Sequence, residues 1–262
     1  MPWVVDTHAH LDGLEELDLA LCQARKAGVV GIIAMGSNHQ SNLRVLEICR
    51  SHPHFIHPAL GLHPWDLGQM DSQQVNSTLK CIRDNISNIV AIGEVGLDYD
   101  KRVIKTVSKE HQKRVLAQLL ELAREYGKPV SVHSRYSWRD CLDLLQAHGV
   151  EKAVFHWYTG LSSVLRDIIE AGYYISATPA AEYHEEHRRA IRETPAERLL
   201  LETDCPVQYG RENRYRSAPS DIRKSLKAAA SLKGINEAAL AEMTTCNAGR
   251  LFGLDFASCA IP

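Results

Sequence analysis

The chain has 262 residues, 45% hydrophobic and 24% charged, a balance that suits a globular protein and excludes disordered and fibrous classes. A formal net charge of −2 excludes a coat protein that holds nucleic acid through bulk positive charge, so any polyanion has to be met locally. The length is enough for two small domains, but α/β barrels reach this size as one.

In chain order, β-branched runs at 3–8, 31–35, 55–60, 89–93, 129–133, 153–156, 173–176 and 199–202 predict eight strands separated by helical patterns. The clearest helix covers 109–126, where Val115, Leu116, Leu119, Leu120, Leu122 and Ala123 recur at three-and-four spacing. Gly28, Gly127, Gly149 and Gly172 each stand between a helical pattern and an apolar run, as left-handed helix caps do. After the eighth strand, 205–221 is the longest irregular stretch and carries Arg211, Arg214 and Arg216; helices over 222–233 and 236–252 follow. No linker, charge block or low-complexity tract interrupts the alternation, which predicts one domain over 1–262. Eight strand–helix units predict an α/β TIM (β/α)8 barrel. A doubly wound open sheet shares the local alternation, but no Rossmann glycine fingerprint supports it.

The seven cysteines, Cys22, Cys49, Cys81, Cys141, Cys205, Cys246 and Cys259, are odd in number and lack CxxC spacing, the pattern of free thiols in a reducing compartment. The first residues carry no basic run or cleavage site, and the apolar run 29–35 is too short to span a bilayer. A cytoplasmic protein without a membrane segment is expected. No long exposed apolar strip announces a partner, so a monomer is the default.

Asp6-Thr7-His8-Ala9-His10 places two imidazoles on one face at the end of the first strand, which in a barrel is the interior. Alone, this pair is as compatible with surface or hydrogen-bonded histidines as with a metal clamp. Other polar residues cap further strands: Glu94 the fourth, His133 the fifth, His156 the sixth and Asp204 the eighth. Strand C-termini are where barrel active sites are built, so the six converge on one mouth. Four imidazoles with two carboxylates suit a pair of divalent metal ions, zinc favoured by ligand type, with manganese or magnesium as alternatives.

The motifs Asp6-x-His8-x-His10, Gly61-Leu62-His63-Pro64, Gly93-Glu94-Val95-Gly96-Leu97-Asp98, His133-Ser134-Arg135, His156-Trp157-Tyr158-Thr159-Gly160, Glu202-Thr203-Asp204-Cys205-Pro206 and Asn247-Ala248-x-Arg250-Leu251-Phe252-Gly253 run over most of the chain. In this order they closely resemble the TatD family of metal-dependent hydrolases. The resemblance implies a TIM-barrel enzyme of the amidohydrolase superfamily, usually described as a deoxyribonuclease, with DNA as substrate. It also implies that His8, His10 and Asp204 hold one metal, His133 and His156 the second, and that Glu94 bridges them. The chain departs from the family at Trp157-Tyr158, where Cys-Phe is more usual, and at Cys205, where Ala or Ser is commoner. Neither departure touches a ligand, but Trp157 and Tyr158 stand where they can reshape the substrate pocket.

The implied chemistry is hydrolysis by a metal-activated water, with Asp204 as general acid/base and Glu94 beside it. His63 is read as either a substrate contact or a structural hydrogen bond, and Arg135 as either a bidentate phosphate ligand or a surface ion pair. Arg211, Arg214 and Arg216 contact a polyanion if their loop folds over the mouth, and otherwise form a solvated face. His52, His54 and His57 fall at the other end of the barrel and, with His184 and His187, are read as structural or surface groups. Two rivals stand. One is a binuclear-metal hydrolase of a small phosphoester, amide or lactone, since the same activated water attacks carbonyl carbon; against it, Glu94 occupies the strand end where such enzymes often carry a modified lysine, and Lys128 starts a strand. The other is a catalytically idle nucleic-acid or protein-binding barrel, which the intact ligand set opposes.

Overall fold

A computed structural model describes residues 2–256, and all eight expected strands form in it. They are β1 (Val4–Ala9), β2 (Val29–Met35), β3 (Ile56–Leu62), β4 (Ala91–Asp98), β5 (Val130–Arg135), β6 (Ala153–Phe155), β7 (Tyr174–Ala177) and β8 (Leu199–Leu201). Each pairs in parallel with the next, from β1 to β8, in one sheet. Around it lie α1 (Leu17–Lys26), α2 (His39–Ser51), α3 (Ser72–Asp84), α4 (Lys101–Ile104), α5 (Lys109–Glu125), α6 (Trp138–Ala147), α7 (Ser162–Glu170), α8 (Glu185–Glu193), α9 (Ile222–Lys233) and α10 (Glu237–Phe252). This is one α/β domain with the TIM-barrel order expected from the alternation, and it excludes the open doubly wound sheet, whose strand order reverses.

The barrel nearly closes through a seam of specific hydrogen bonds between β1 and β8. Thr7 Oγ1 donates to the Leu201 carbonyl at 2.9 Å, and the Asp204 N–H to the His8 carbonyl at 2.9 Å. Asp6 reinforces the seam by accepting from the Thr203 N–H at 2.9 Å and from Thr203 Oγ1 at 2.6 Å.

Helix boundaries follow local chemistry. Ser108 caps α5 by accepting from the His111 N–H at 3.2 Å, and Gly127 at φ +61° stops it. All six apolar residues predicted for its inner face are buried. Inside the barrel, Ile33, Met35, Ala59, Ala91, Val154 and Leu200 pack with Ala248, Leu251, Phe252 and Phe256. The C-terminal helix therefore plugs one end, and the chemistry is left to the other.

Two expectations need adjustment. The fourth and fifth strands run past the predicted ends, so Glu94 and His133 lie within β4 and β5 rather than capping them. Pairing of β4 with β5 shifts register between Ile92 and Val95 and then continues as far as Asp98 opposite Arg135, which carries both strands past the predicted ends. The stretch 205–221 is not wholly irregular: Gln208–Tyr209 pairs antiparallel with Tyr215–Arg216. Cys22, Cys49, Cys81, Cys141, Cys205 and Cys246 are free thiols, and Cys259 lies outside the described residues. Among the described residues no helix is long and apolar enough to cross a membrane.

Candidate metal centre

The six predicted residues meet at the open end of the barrel, with Glu94 at their centre. Its Oε2 lies 3.2 Å from His10 Nε2 and 3.6 Å from His8 Nε2, while its Oε1 lies 2.9 Å from His133 Nδ1 and 2.8 Å from His156 Nε2. Asp204 Oδ1 sits 3.6 Å from both His8 Nε2 and His10 Nε2. His8, His10 and Asp204 thus offer ligand atoms within the span of one cation, as do His63, Glu94 and His133, and also His8, His156 and Glu202.

Several buried groups hold these side chains in their ring orientations. Asp98 accepts from His133 Nε2 at 2.9 Å, leaving Nδ1 aimed at Glu94. Ser131 Oγ lies 3.2 Å from His8 Nδ1, which leaves Nε2 facing the cluster. Glu202 Oε1 stands 3.5 Å from His156 Nδ1 and accepts from the Trp157 N–H at 3.0 Å. Carboxylate or hydroxyl partners on the outer ring nitrogen are the usual way a metal-binding histidine is held. Asp204 adopts φ +48° and Trp157 φ +41°, left-handed backbone that non-glycine residues adopt at a cost. The seam to His8 and the Asp6–Thr203 pair over-determine the turn at Asp204.

The electrostatics agree with a cation site. Burial alone would lower His10, but the hydrogen-bonded Glu94 carboxylate and Asp204 outweigh it and raise its pKa to about 9. The same balance, burial opposed by Glu94 and Glu202, puts His156 well above its ordinary value. Glu94 is held well below the carboxylate range against its own burial by His63, His156 and their neighbours. For Asp204 burial wins over His8, His156 and His10, and its pKa rises. Carboxylates that draw protons onto imidazoles also draw divalent cations in their place.

His63 comes closer to the cluster than a peripheral contact would. Its Nδ1 accepts from the Trp65 N–H at 3.2 Å, so Nε2 carries the proton and points at Glu94 Oε1, 3.4 Å away. Arg135 pairs with Asp100 at 3.1 Å. In the loop after β8, Arg211 donates to the Tyr183 carbonyl at 2.7 Å and Arg216 to Glu15 at 3.0 Å and the Gly13 carbonyl at 2.8 Å, and Arg211, Arg214 and Arg216 are all exposed. The Tyr209 ring of this loop lies 5.3 Å from that of Trp157, tilted by 46°, beside His156, so the ribbon does sit at the mouth. His187 is fully buried, in line with the structural reading: Nδ1 donates to the Tyr158 carbonyl at 3.0 Å while Nε2 accepts from the Thr178 N–H at 3.1 Å.

Sequence reasoning passed over Asp98, Glu202, Ser131 and Asp6. Residue parity was the available signal within strands: 94 with 98, 131 with 133 and 6 with 8 each share a strand face, whereas Glu202 and Asp204 lie beyond the end of β8.

Comparison with known proteins follows the same lines. The profile of the TatD related DNase family matches residues 5–253. The human protein named deoxyribonuclease TATDN3 is 33% identical over 259 residues, covering 95% of this chain and 94% of the human one. The Bacillus subtilis protein YabD, described as an uncharacterized metal-dependent hydrolase, is 30% identical over 260 residues, covering 95% and 99%. Among solved structures, the Escherichia coli TatD homologue YJJV superposes with a TM-score of 0.85 at 26% identity, covering 96% of this chain and 98% of that one.

Proposed function

The chain belongs to the TatD related DNase family, and from that premise we propose that it is a cytoplasmic deoxyribonuclease that hydrolyses phosphodiester bonds with water activated by two divalent cations, zinc favoured over manganese or magnesium. One observation carries the reading: Glu94 turns one oxygen to His8 and His10 and the other to His133 and His156. A carboxylate shared between two imidazole pairs would suit two cations, one beside each pair. His8, His10 and Asp204 would hold one, and His133 and His156 the other. When bound, such cations lower the pKa of a water and offset charge on the attacking and leaving oxygens of a phosphodiester.

The chain's own groups do the rest. Asp204, a buried carboxylate facing His8 and His10, takes up the water's proton at a carboxylate oxygen and returns it to the leaving oxygen. His63 presents an Nε2 proton to the same space and serves as a hydrogen-bond donor to a substrate oxygen. Asp98, Ser131 and Glu202 keep the ligand imidazoles in register.

The test is elemental analysis of the purified protein alongside cleavage of labelled single-stranded DNA. About two metals per chain, with Asp204→Asn reducing cleavage by roughly 100-fold or more, is expected. Full metal without DNA cleavage would move the substrate to a small phosphoester, amide or lactone. That second reading is favoured by one observation: Arg211 and Arg216 are already engaged by protein groups, the Tyr183 and Gly13 carbonyls and Glu15. Binding to DNA that survives chelation without product would instead indicate an idle barrel.

A further inference from the structure

The mouth of the barrel is unevenly charged. On one side the connection from β1 into α1 brings Asp12, Glu15, Glu16 and Asp18, and the stretch 11–24 holds no Lys or Arg. Among the described residues only Glu15 of these four meets a guanidinium, that of Arg216 at 3.0 Å. Where β4 leads through α4 into α5, the balance is reversed: the stretch 100–114 carries Lys101, Arg102, Lys105, Lys109, Lys113 and Arg114 against Asp100 and Glu110. In a ring of eight strands β1 stands across from β4 and β5, and the connections that follow the strands all lie at the mouth, so acid and base occupy opposite rims of one opening.

The basic rim starts at the metal centre. Asp98, which holds His133, accepts the Asp100 N–H at 2.7 Å on its other oxygen. Asp100 in turn meets Arg102 Nε at 2.9 Å and Arg135 at 3.1 Å, so two guanidinium groups share one carboxylate and keep a net positive charge. Beyond them Val103 and Val107 are buried, which leaves Lys101 and Lys105, each two residues from Val103, on the outer side and about 6 Å apart along the turn. Both are exposed, and among the described residues neither has an ion-pair partner. Lys109 follows in the first turn of α5, with its ammonium 4.1 Å over the Tyr99 ring. Lys113, further along, is neutralised by Asp140 at 2.6 Å.

Like charges gathered on one surface repel each other, and a chain of net charge −2 as a whole gives a polyanion no attraction. A one-sign field beside a concave site draws the opposite charge towards it. A single phosphate at the Glu94 cluster has no use for Lys101, Lys105 and Lys109, which lie beyond Arg135 and Arg102. A longer phosphate chain meets them in succession, whereas the path over the β1–α1 connection meets carboxylates. Lys and Arg contacts to phosphates hold a nucleic acid in position without reading its sequence.

We propose that the α4–α5 shoulder is a backbone track: the sugar–phosphate chain of a polynucleotide leaves the metal centre past Arg135 and Arg102 and runs over Lys101, Lys105 and Lys109, while the acidic β1–α1 edge closes the opposite path. The proposal rests on the reading of the Glu94 site as a nuclease centre, and it makes the length of the substrate part of its recognition.

The experiment compares wild type with the triple variant Lys101→Gln, Lys105→Gln, Lys109→Gln and with a control of equal charge change, Lys26→Gln, Lys152→Gln, Lys227→Gln, at three exposed lysines outside the basic rim. All are metal-loaded and assayed on an oligonucleotide of about 20 residues and on a trinucleotide, from about 50 to about 200 mM NaCl. On the long strand each phosphate contact contributes about 0.7 to the slope of log KM against log salt, so the track variant should lose about 2 from that slope, with KM at the lowest salt raised at least about 10-fold. On the trinucleotide its KM should rise by less than about threefold, and the control should follow wild type on both substrates. Replacing the same three lysines by Arg should keep the wild-type slope, because charge is what the track supplies. An unchanged slope in the Gln variant, or an equal loss in the control, would overturn the track. So would a fall in kcat or bound metal that is the same on both substrates, since the substitutions would then act through Asp98 and His133. Wild type that cleaves neither substrate would overturn the nuclease reading itself, an outcome visible before any variant is compared.

Discussion

Asp98→Asn isolates the contribution of a residue that touches no expected cation but holds one that does. In the wild type, three donors converge on one buried carboxylate: the Trp65 indole at 2.6 Å and His133 Nε2 at 2.9 Å on Oδ2, and the Asp100 N–H at 2.7 Å on Oδ1. An asparagine can accept at only one of the two positions. If its oxygen faces His133, its amide faces the Asp100 N–H; if reversed, two donors oppose the imidazole and the indole. Leaving a buried donor unpaired costs about 1–3 kcal/mol, and losing a carboxylate behind a ligand histidine weakens metal binding by about 10- to 100-fold. That loss corresponds to about 1.4–2.7 kcal/mol in affinity. Zinc affinity would be measured by competition with a chromophoric chelator, and folding stability by urea denaturation of both proteins. A variant that binds metal as tightly as wild type, while His133→Asn binds it measurably more weakly, would refute the claim that Asp98 positions His133.

Three further outcomes follow from other parts of the structure. Glu94→Gln should reduce bound metal from about two per chain to one or none and lower cleavage by at least about 100-fold, checked by elemental analysis and single-turnover assay; retention of both metals would remove Glu94 from the bridging role. Gly61→Ala would place a Cβ against the Glu94 carbonyl, 2.5 Å from the Glu94 nitrogen and 2.6 Å from the Gly93 carbonyl carbon, with only backbone to yield. It should destabilise by about 2 kcal/mol or more and lower metal content with Tm, whereas an unchanged calorimetric Tm would show that β3 and β4 can part there. Burial lowers His187 to about 4 from an ordinary 6.5, and its Nε2, which accepts from the Thr178 N–H, requires the neutral ring. Because the unfolded chain binds the proton more readily, this stability is present above pH 6.5 and lost as pH falls towards 4, to the extent of about 3 kcal/mol. Urea midpoints of wild type and His187→Gln should therefore converge over that window; a constant gap would show that His187 does not titrate as its burial requires.

The eight strands, their order and the six polar residues that meet at the mouth were legible because barrel strands are short and apolar with polar residues at or near one end, a pattern that needs no partner to be seen. His8, His10, His133, His156, Glu94 and Asp204 each stand beside such a run, and the structure brings all six together. The helix over 109–126 was equally clear, since burial of one face imposes its own period on the sequence. What was missed lies one step outward. Asp98, Glu202 and Ser131 matter through what they touch across strands, and partners such as Ser131 and His8, 123 positions apart, are joined only by the closure of the barrel. Arg135 and Arg211 left both a substrate contact and a protein contact open, and only folding showed Asp100 and the Tyr183 carbonyl beside them.

By itself, then, the sequence determined the period of each element, the α/β alternation and the donor types gathered at the strand ends, because these depend on neighbours a few residues apart. Tertiary structure decided which oxygen of Glu94 meets which imidazole, which ring nitrogen of each histidine is left for a cation, and how the indole of Trp65 is pinned at the rim. Those depend on angles and distances between strands far apart in the chain, which exist only once β1 and β8 meet.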